Sequence, residues 1–431
     1  MPGIYQADPF SQSDPRLLKL KEYLVSAVSP EMQGQATEKA PDRESVRRLL
    51  LEAFDRTKAD LKAELRDRIV ASALADLVGY GPLELLLSDP AISEIMINGA
   101  QRVFVELGGE LLETDVHFED EEHLLRIIDR IVSPLGRRVD ADNPTADARL
   151  PDGSRVNVVI PPVAVDGPHV TIRKFLQTKM TVEDLVAMGA LTPYMARFLE
   201  ACVVARLNIL VTGNTSSGKT TVLNALSGFI PDAERIVTIE DAVELKLKQR
   251  HVVRLETKLP NVDGTGSVNV RDLVRNALRM RPDRIVVGEV RGGEAMDMLQ
   301  AMNTGHTGSL TTLHANAPRD ATSRLETMSM MAGLDMPLLA IRKQIAAAIN
   351  LIVHLARLSD GSRKMTHITE LAGMEGDVIT LTDIFKFEQT AVSPDGKILG
   401  QLRPTNMRPL FTPRLEAAGY KLGGEIFGAG L

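Results

Sequence analysis

Cysteine is nearly missing from this chain of 431 residues, with Cys202 standing alone. No internal disulfide can form, which suits a reducing compartment. Cys202 lies in an apolar helical stretch and reads as packing rather than chemistry. Tryptophan is absent, and 5 tyrosines and 11 phenylalanines are the whole aromatic complement, so stacking platforms for single-stranded nucleic acid are scarce. An excess of basic charge is missing too. The formal net charge is −7, which argues against a general nucleic-acid-binding surface. No apolar run approaches the roughly 20 residues that would span a bilayer. The opening stretch is polar and broken by prolines, unlike a signal peptide. What remains is a globular composition, 44% apolar and 25% charged, in a length that suits two or three domains.

Residues 1–40 carry Pro, Gln, Ser and Gly without sustained periodicity and are expected to be mostly disordered. Residues 41–78 alternate charged with apolar residues at spacings of three and four, which predicts a helical hairpin, a small bundle or one solvated helix. GYGPLE, Gly79 to Glu84, breaks that pattern. Over 79–177, turn signals at Asn98-Gly99 and Gly108-Gly109, a helix over 119–135 and strands at Arg155–Ile160 and His169–Phe175 predict a compact α+β domain. Residues 178–193 read as a linker with a short helix. Over 194–431 strands and helices alternate, the signature of a parallel α/β sheet. The strand candidates there are Asn208–Thr212, Arg235–Glu240, Arg284–Gly288, Gly308–Leu313 and Asn350–Leu358.

The strongest chemical signal is GNTSSGKT, Gly213 to Thr220, which fits the P-loop pattern at every fixed position. An apolar strand, LNILVT, precedes it and a helical stretch beginning at Thr221 follows. The backbone N–H groups of Gly213, Asn214, Thr215, Ser216, Ser217, Gly218, Lys219, Thr220 and Thr221 would cradle phosphate oxygens at a helix N-terminus. Lys219 would bridge the β- and γ-phosphates of ATP, and the Thr220 hydroxyl would hold Mg²⁺.

Four further stations follow. IVTIEDAVEL ends a β run in Glu240 and Asp241, where a carboxylate would orient the attacking water or a metal-bound water. RIVVGEVRGGEA occupies the Walker B position, but Gly288 stands where the usual Asp would be. Glu289 is then the strand-end acid and second candidate for Mg²⁺, with Glu240 a candidate to share the acid's work. TGHTGSLTTLHAN places His306 and His314 at opposite ends of one strand, which is not metal-ligand spacing. A histidine there could meet a phosphate or a catalytic acid. Arginines form the last station: Arg279 and Arg281 before the Glu289 strand, and Arg137, Arg138, Arg149, Arg155 and Arg173 in the smaller domain.

P-loop, acidic box, GEVR box and His box in this order resemble the type II/IV secretion superfamily ATPases. ALRMRPDRIVVGEVRGGEAMDMLQAMNTGHTGSLTTLHAN resembles the CpaF-type ATPases of the tight-adherence (Tad/Flp) pilus, and GYGPLELLLSDPAISEIMING, ADARLPDGSRVNVVIPP and TIRKF are similar to the same family. The likeness covers roughly residues 70–390. It implies an α/β fold: a RecA-like P-loop ATPase domain behind a smaller α+β, PAS-like domain and an N-terminal helical segment. It also implies a homohexamer in the bacterial cytoplasm, held at the inner membrane by platform proteins and acting on pilins indirectly. In the family pattern Glu240 falls on the acidic-box glutamate, Glu289 on the Walker B glutamate, and His306 and His314 on the His box. Arg279, Arg155 and Arg173 match arginines that serve the nucleotide. The four-cysteine zinc site of some type II assembly ATPases is absent.

The function expected on this resemblance is ATP hydrolysis driving Tad/Flp pilus assembly, with retraction as a further option. The alternative is the same engine in protein or DNA export by a type IV secretion system. A RecA-like helicase is a third class. The acidic balance and the scarce aromatics weigh against it, and no nucleic-acid partner is expected.

Overall fold

The computed structural model describes residues 15–34, 42–175, 180–258, 260 and 265–428. The chain divides into two compact units, Met1–Gln177 and Thr178–Leu431.

The first unit opens with three helices, α1 (Pro15–Gly34), α2 (Arg43–Thr57) and α3 (Ala63–Val78). The expectation of disorder over 1–40 is corrected for its described part. Residues 15–34 are helical because Leu17, Leu20, Leu24 and Val28 recur at helical spacing, and Leu24 and Val28 are buried in the bundle core with Val46, Leu50, Phe54 and Ile69. The rest of that expectation, residues 1–14 and 35–40, lies outside the described residues. Helices α2 and α3 are separate. The Asp42 side chain caps α2, accepting from the Ser45 N–H at 3.2 Å, and Lys58 ends it in a left-handed conformation.

After the short helix α4 (Leu83–Ser88) come β1 (Ile92–Asn98), β2 (Arg102–Leu107), β3 (Glu110–Glu113), α5 (Glu121–Val132), β4 (Thr145–Arg149), β5 (Arg155–Val159) and β6 (His169–Arg173). The six strands form one antiparallel sheet in the order β3-β2-β1-β6-β5-β4. Strict alternation decides its faces. Val156, Val158, Val170 and Ile172 turn inward and share a core with Leu124, Ile127, Ile128 and Ile131 of α5. Arg155, Asn157, Thr171 and Arg173 occupy the other face.

The second unit begins with α6 (Val182–Ala187) and α7 (Pro193–Val204). Residues 178 and 179 of the expected linker lie outside the described residues. The remainder is built into this unit: Thr181 and Asp184 form a capping box on α6, and Val182, Leu185 and Leu191 are buried with Phe198. Then follow β7 (Ile209–Gly213), α8 (Lys219–Ser227), β8 (Ile236–Glu240), β9 (Val252–Glu256), α9 (Val270–Ala277), β10 (Arg284–Val287), α10 (Glu294–Asn303), β11 (Leu310–His314), α11 (Pro318–Met330), α12 (Leu338–Ala348) and β12 (Leu351–Arg357). Their strands lie parallel in the order β12-β7-β11-β10-β8-β9. Strands β7, β8, β10 and β11 are buried in both alternations, apart from the half-buried His314, because helices cover both faces. Ile209 and Val211 pack with α7 and α8, whereas Leu210 packs on the side of α9 to α12. This is the RecA-like α/β layout, with the P-loop strand in the interior of the sheet.

Beyond β12 the sheet continues antiparallel through β13 (Arg363–Glu375), β14 (Val378–Val392) and β15 (Ile398–Pro404), and the chain closes with α13 (Thr412–Ala417). These three strands are not among the sequence candidates. The Glu375-Gly376-Asp377 turn between two β-rich runs is the signal that marks them.

Candidate functional site

Strand β7 ends at Gly213 and α8 starts at Lys219, so Asn214–Gly218 turn the chain over the N-terminus of α8. Ser216 and Gly218 have left-handed backbones, with φ of 58° and 95°. No side chain caps α8 among the described residues, which leaves its first N–H groups available to an anion. The Ser217 hydroxyl is buried without a hydrogen-bond partner among the described residues, and a phosphate oxygen would supply one. Thr220 and Thr221 follow in the first turn.

The parallel sheet brings the other stations to this end. Strand β11 lies beside β7 with His314 level with Gly213, and β10 lies beside β11. The Lys219 ammonium donates to the Asn214 carbonyl at 3.1 Å and lies 3.4 Å from each ring nitrogen of His314. His314 Nε2 is 2.7 Å from Glu289 Oε1. Glu289 Oε2 accepts from Arg291 Nε at 2.7 Å, and Arg291 Nη1 reaches Asp241 Oδ2 at 3.2 Å. Burial, and then the Lys219 charge, lower the pKa of His314. The ring thus lies between the ammonium, equally distant from both its nitrogens, and the Glu289 carboxylate, which it touches through Nε2. The result is a continuous polar chain from the P-loop lysine to the acidic box.

Glu240 is placed differently. Its carboxylate is buried, and Oε2 accepts the N–H groups of Glu244 and Leu245 at 2.8 and 2.9 Å. It therefore holds the turn after β8. The glycine in the Walker B position follows from this. A Cβ on Gly288 would stand 3.0 Å from Glu240 Cγ, so Gly288 leaves the room that the Glu240 side chain fills. Thr312 Oγ1 donates to the Gly288 carbonyl at 2.7 Å and fixes the end of β10 against β11.

Two expected site residues are not brought to the P-loop of their own unit. Arg279 precedes β10 and His306 precedes β11, so both lie at the N-terminal edge of the sheet, a strand's length from Lys219 and Glu289. Their placement follows from the parallel strands, all of which point their C-terminal ends at the P-loop. Arg155 and Arg173 belong to the first unit. They pair directly across β5 and β6, and Arg149 of β4 pairs with Arg155, so three arginines occupy one row of that sheet. Glu94 of β1 stands opposite Arg173 in the same row, so the arginines meet a carboxylate within the sheet.

Three residues contribute that sequence reasoning did not single out. Arg291 grips Glu289, and its signal was the GEVR box itself. His354 of β12 supports the loop from behind, with Nδ1 2.8 Å from Thr212 Oγ1. Arg363 of β13 donates from Nε to the Ser216 carbonyl at 2.9 Å. No local pattern announces the last two, because β12 and β13 are far from the P-loop in sequence.

No helix among the described residues is long and apolar enough to cross a membrane. Comparison with known proteins gives a consistent picture. A candidate conjugal transfer protein of Mycobacterium tuberculosis is 40% identical over 313 residues, covering 71% of this chain and 88% of that protein. The type IV secretion system protein VirB11 of Bartonella quintana is 33% identical over 348 residues, covering 71% of this chain and 94% of that protein. Among solved structures, the VirB11 ATPase of the Brucella suis type IV secretion system is 30% identical with a TM-score of 0.38, covering 67% of this chain and 95% of that one. The model of the type II/IV secretion system protein family matches residues 76–391, and the chain belongs to that family.

Proposed function

We propose that this protein is an ATP-hydrolysing motor of a type IV secretion or conjugal-transfer machine, working as a homohexamer with inner-membrane partners. The observation that carries the reading is the convergence of Lys219, His314, Glu289 and Arg291 on the P-loop. The names of its relatives, conjugal transfer and type IV secretion, favour export over the pilus expected from the sequence. Assembly of a Tad/Flp pilus is the second reading, supported by the CpaF-like run Ala277–Asn316.

In this reading the loop N–H groups bind the phosphates of ATP, and Lys219 exchanges the Asn214 carbonyl for β- and γ-phosphate oxygens. No group of three or more His, Cys, Asp or Glu side chains forms a cation cage among the described residues. That fits Mg²⁺, which keeps several waters and is held largely by nucleotide oxygens. Thr220 would hold it through its hydroxyl, with Glu289 as a second oxygen donor, and bound Mg²⁺ would neutralise charge on the phosphates. Glu289 orients the attacking water and takes its proton. Arg291 donates to that carboxylate, and His314 lies between it and Lys219. The family pattern alone supports a phosphate-facing role for Arg155 and Arg173, whose row also holds Glu94. Arg279 and His306 would then serve a nucleotide only across a subunit boundary.

The test is ATP turnover by the purified chain and by Lys219→Ala. Loss of the ammonium removes the charge that grips the phosphates, so turnover should vanish while circular dichroism stays unchanged. Substantial residual turnover in the variant refutes the assignment. In cells carrying the same variant, lost export with pili intact supports the first reading, and lost pili with export intact supports the second.

A further inference from the structure

We propose that Arg363 is a nucleotide-binding residue that presents its guanidinium to the part of the nucleotide common to ADP and ATP. The inference rests on the reading of the P-loop as a nucleotide site. Arg363 opens β13, which pairs with β12, and β12 pairs with the P-loop strand β7. Glu289 and His314 reach the loop from β10 and β11, on the other flank of β7. The sheet therefore places the residues suited to the γ-phosphate on one side of the loop and Arg363 on the other.

Its position is built. Arg363 Nε donates to the carbonyl of Ser216 at 2.9 Å. Its Cδ lies 3.8 Å from the point a Cβ would occupy on Gly218. The guanidinium thus lies along the two left-handed residues of the loop, Ser216 and Gly218. An exposed arginine on a turn ordinarily samples many rotamers, but this turn is braced. Asp360 Oδ1 accepts the Ser362 N–H at 3.0 Å and the Ser362 hydroxyl at 2.6 Å, and Oδ2 accepts the Ile398 N–H at 2.7 Å. These bonds, the Ser362 hydroxyl first, hold the Asp360 carboxyl down to about 2. The Leu358 N–H closes the turn on the Ser362 carbonyl at 2.8 Å.

The hydrogen bond to Ser216 uses Nε alone. Among the described residues the terminal guanidinium nitrogens have no protein partner, so they remain as fork donors for an oxyanion. A nucleoside di- or triphosphate in the P-loop supplies that oxyanion.

The experiment measures Mg-ADP affinity by calorimetry, and ATP turnover, on the full chain and on Arg363→Gln, Arg363→Lys and Arg363→Ala. Glutamine can still donate to the Ser216 carbonyl but carries no charge. Lysine restores the charge on a different head. A charge-assisted bond to phosphate predicts that Arg363→Gln weakens ADP binding and raises KM for ATP by about tenfold or more, with a far smaller change in kcat. Arg363→Lys should recover most of that loss, and Arg363→Ala should be at least as weak as Arg363→Gln. Wild-type ADP affinity in Arg363→Gln would overturn the inference and leave Arg363 as a brace for Ser216. A fall in kcat at unchanged KM would overturn it as well, by moving the residue into the chemical step. If the wild-type chain binds no ADP, the nucleotide reading of the P-loop fails first and this inference fails with it. If Arg363→Gln unfolds, the comparison of Arg363→Lys with wild type decides: a lysine without any affinity overturns the role of charge.

Discussion

Replacing His354 by glutamine isolates one proton beneath the P-loop. The histidine is 4% exposed. Its Nδ1 meets the Thr212 hydroxyl, and the ring also bonds the backbone of Asn316, just beyond His314. Burial pushes its pKa down to about 4 from 6.5, and His367 across the strand pushes the same way, while the Asn316 backbone and Asp320 oppose them. The unfolded chain titrates near its ordinary value, about 6.5. Between about pH 6.5 and about pH 4 the unfolded chain therefore holds a proton that the folded chain lacks. Stability from the neutral ring is complete above that window and is lost as pH falls through it, at about 1.4 kcal/mol per pH unit. At pH 5 the loss is about 2 kcal/mol. His354→Gln retains a donor and an acceptor of similar reach but does not titrate. Urea midpoints of both proteins at pH 7.5 and pH 5 give the answer. Wild type should lose about 2 kcal/mol more than the variant over that interval. His314 and His367 are also lowered by burial, and they act with the same sign in both proteins, so the difference reports His354. An equal acid loss in the two proteins would refute the claim that a buried neutral His354 underlies the loop.

Two further outcomes follow from the same geometry. Glu289→Gln keeps the shape of the side chain but removes the base and the charge that Arg291 grips, so single-turnover hydrolysis should fall by about 100-fold or more with nucleotide still bound; normal single-turnover rates would transfer the role to Glu240. Gly308→Ala would set a methyl 2.6 Å from the Arg284 Cζ, at a backbone φ of 83°. Arg284 is fully buried and bonded to Glu234 and the Gly308 carbonyl, so its displacement should destabilise the second unit by about 3–5 kcal/mol, and an unchanged thermal midpoint would show that the site yields.

The elements that could be read from the sequence are those whose signal is local. The P-loop, the buried strands β7, β8, β10 and β11 and the helices between them carry short apolar runs and glycine punctuation. The hairpins of the smaller sheet announce themselves by Asn98-Gly99 and Gly108-Gly109. Helix α1 is obscured in the sequence because Pro15 and Pro30 interrupt its amphipathic pattern, whose apolar face gains a partner only in the bundle. Strand β9 is partly exposed and has weak alternation. The His box could be recognised as a pair, but only strand direction separates His314, level with Gly213, from His306 at the far edge. Arg363 and His354 could not be read at all. Their meaning lies in contacts that close 147 and 142 residues of chain, and neither sits in a motif.

The departure at Gly288 illustrates how two acids can be read apart. In sequence Glu240 and Glu289 are equivalent: each ends a buried strand, and each could be the base. Strand pairing puts β8 directly beside β10, so their side chains compete for one volume. A residue larger than glycine at position 288 would press on Glu240, and without that pressure Glu240 can turn inward and take two backbone N–H groups. A carboxylate bonded to main-chain donors is stabilised as an anion but is poorly placed to move toward water. Glu289 is held instead by side chains, His314 and Arg291, which can rotate. The grip of His314 also depends on Lys219, the residue that would first feel a phosphate. This supports assigning proton transfer to Glu289 and the shaping of the strand end to Glu240. It also gives a physical reason for glycine at 288: it leaves the room that lets the neighbouring strand's glutamate bond the turn after β8.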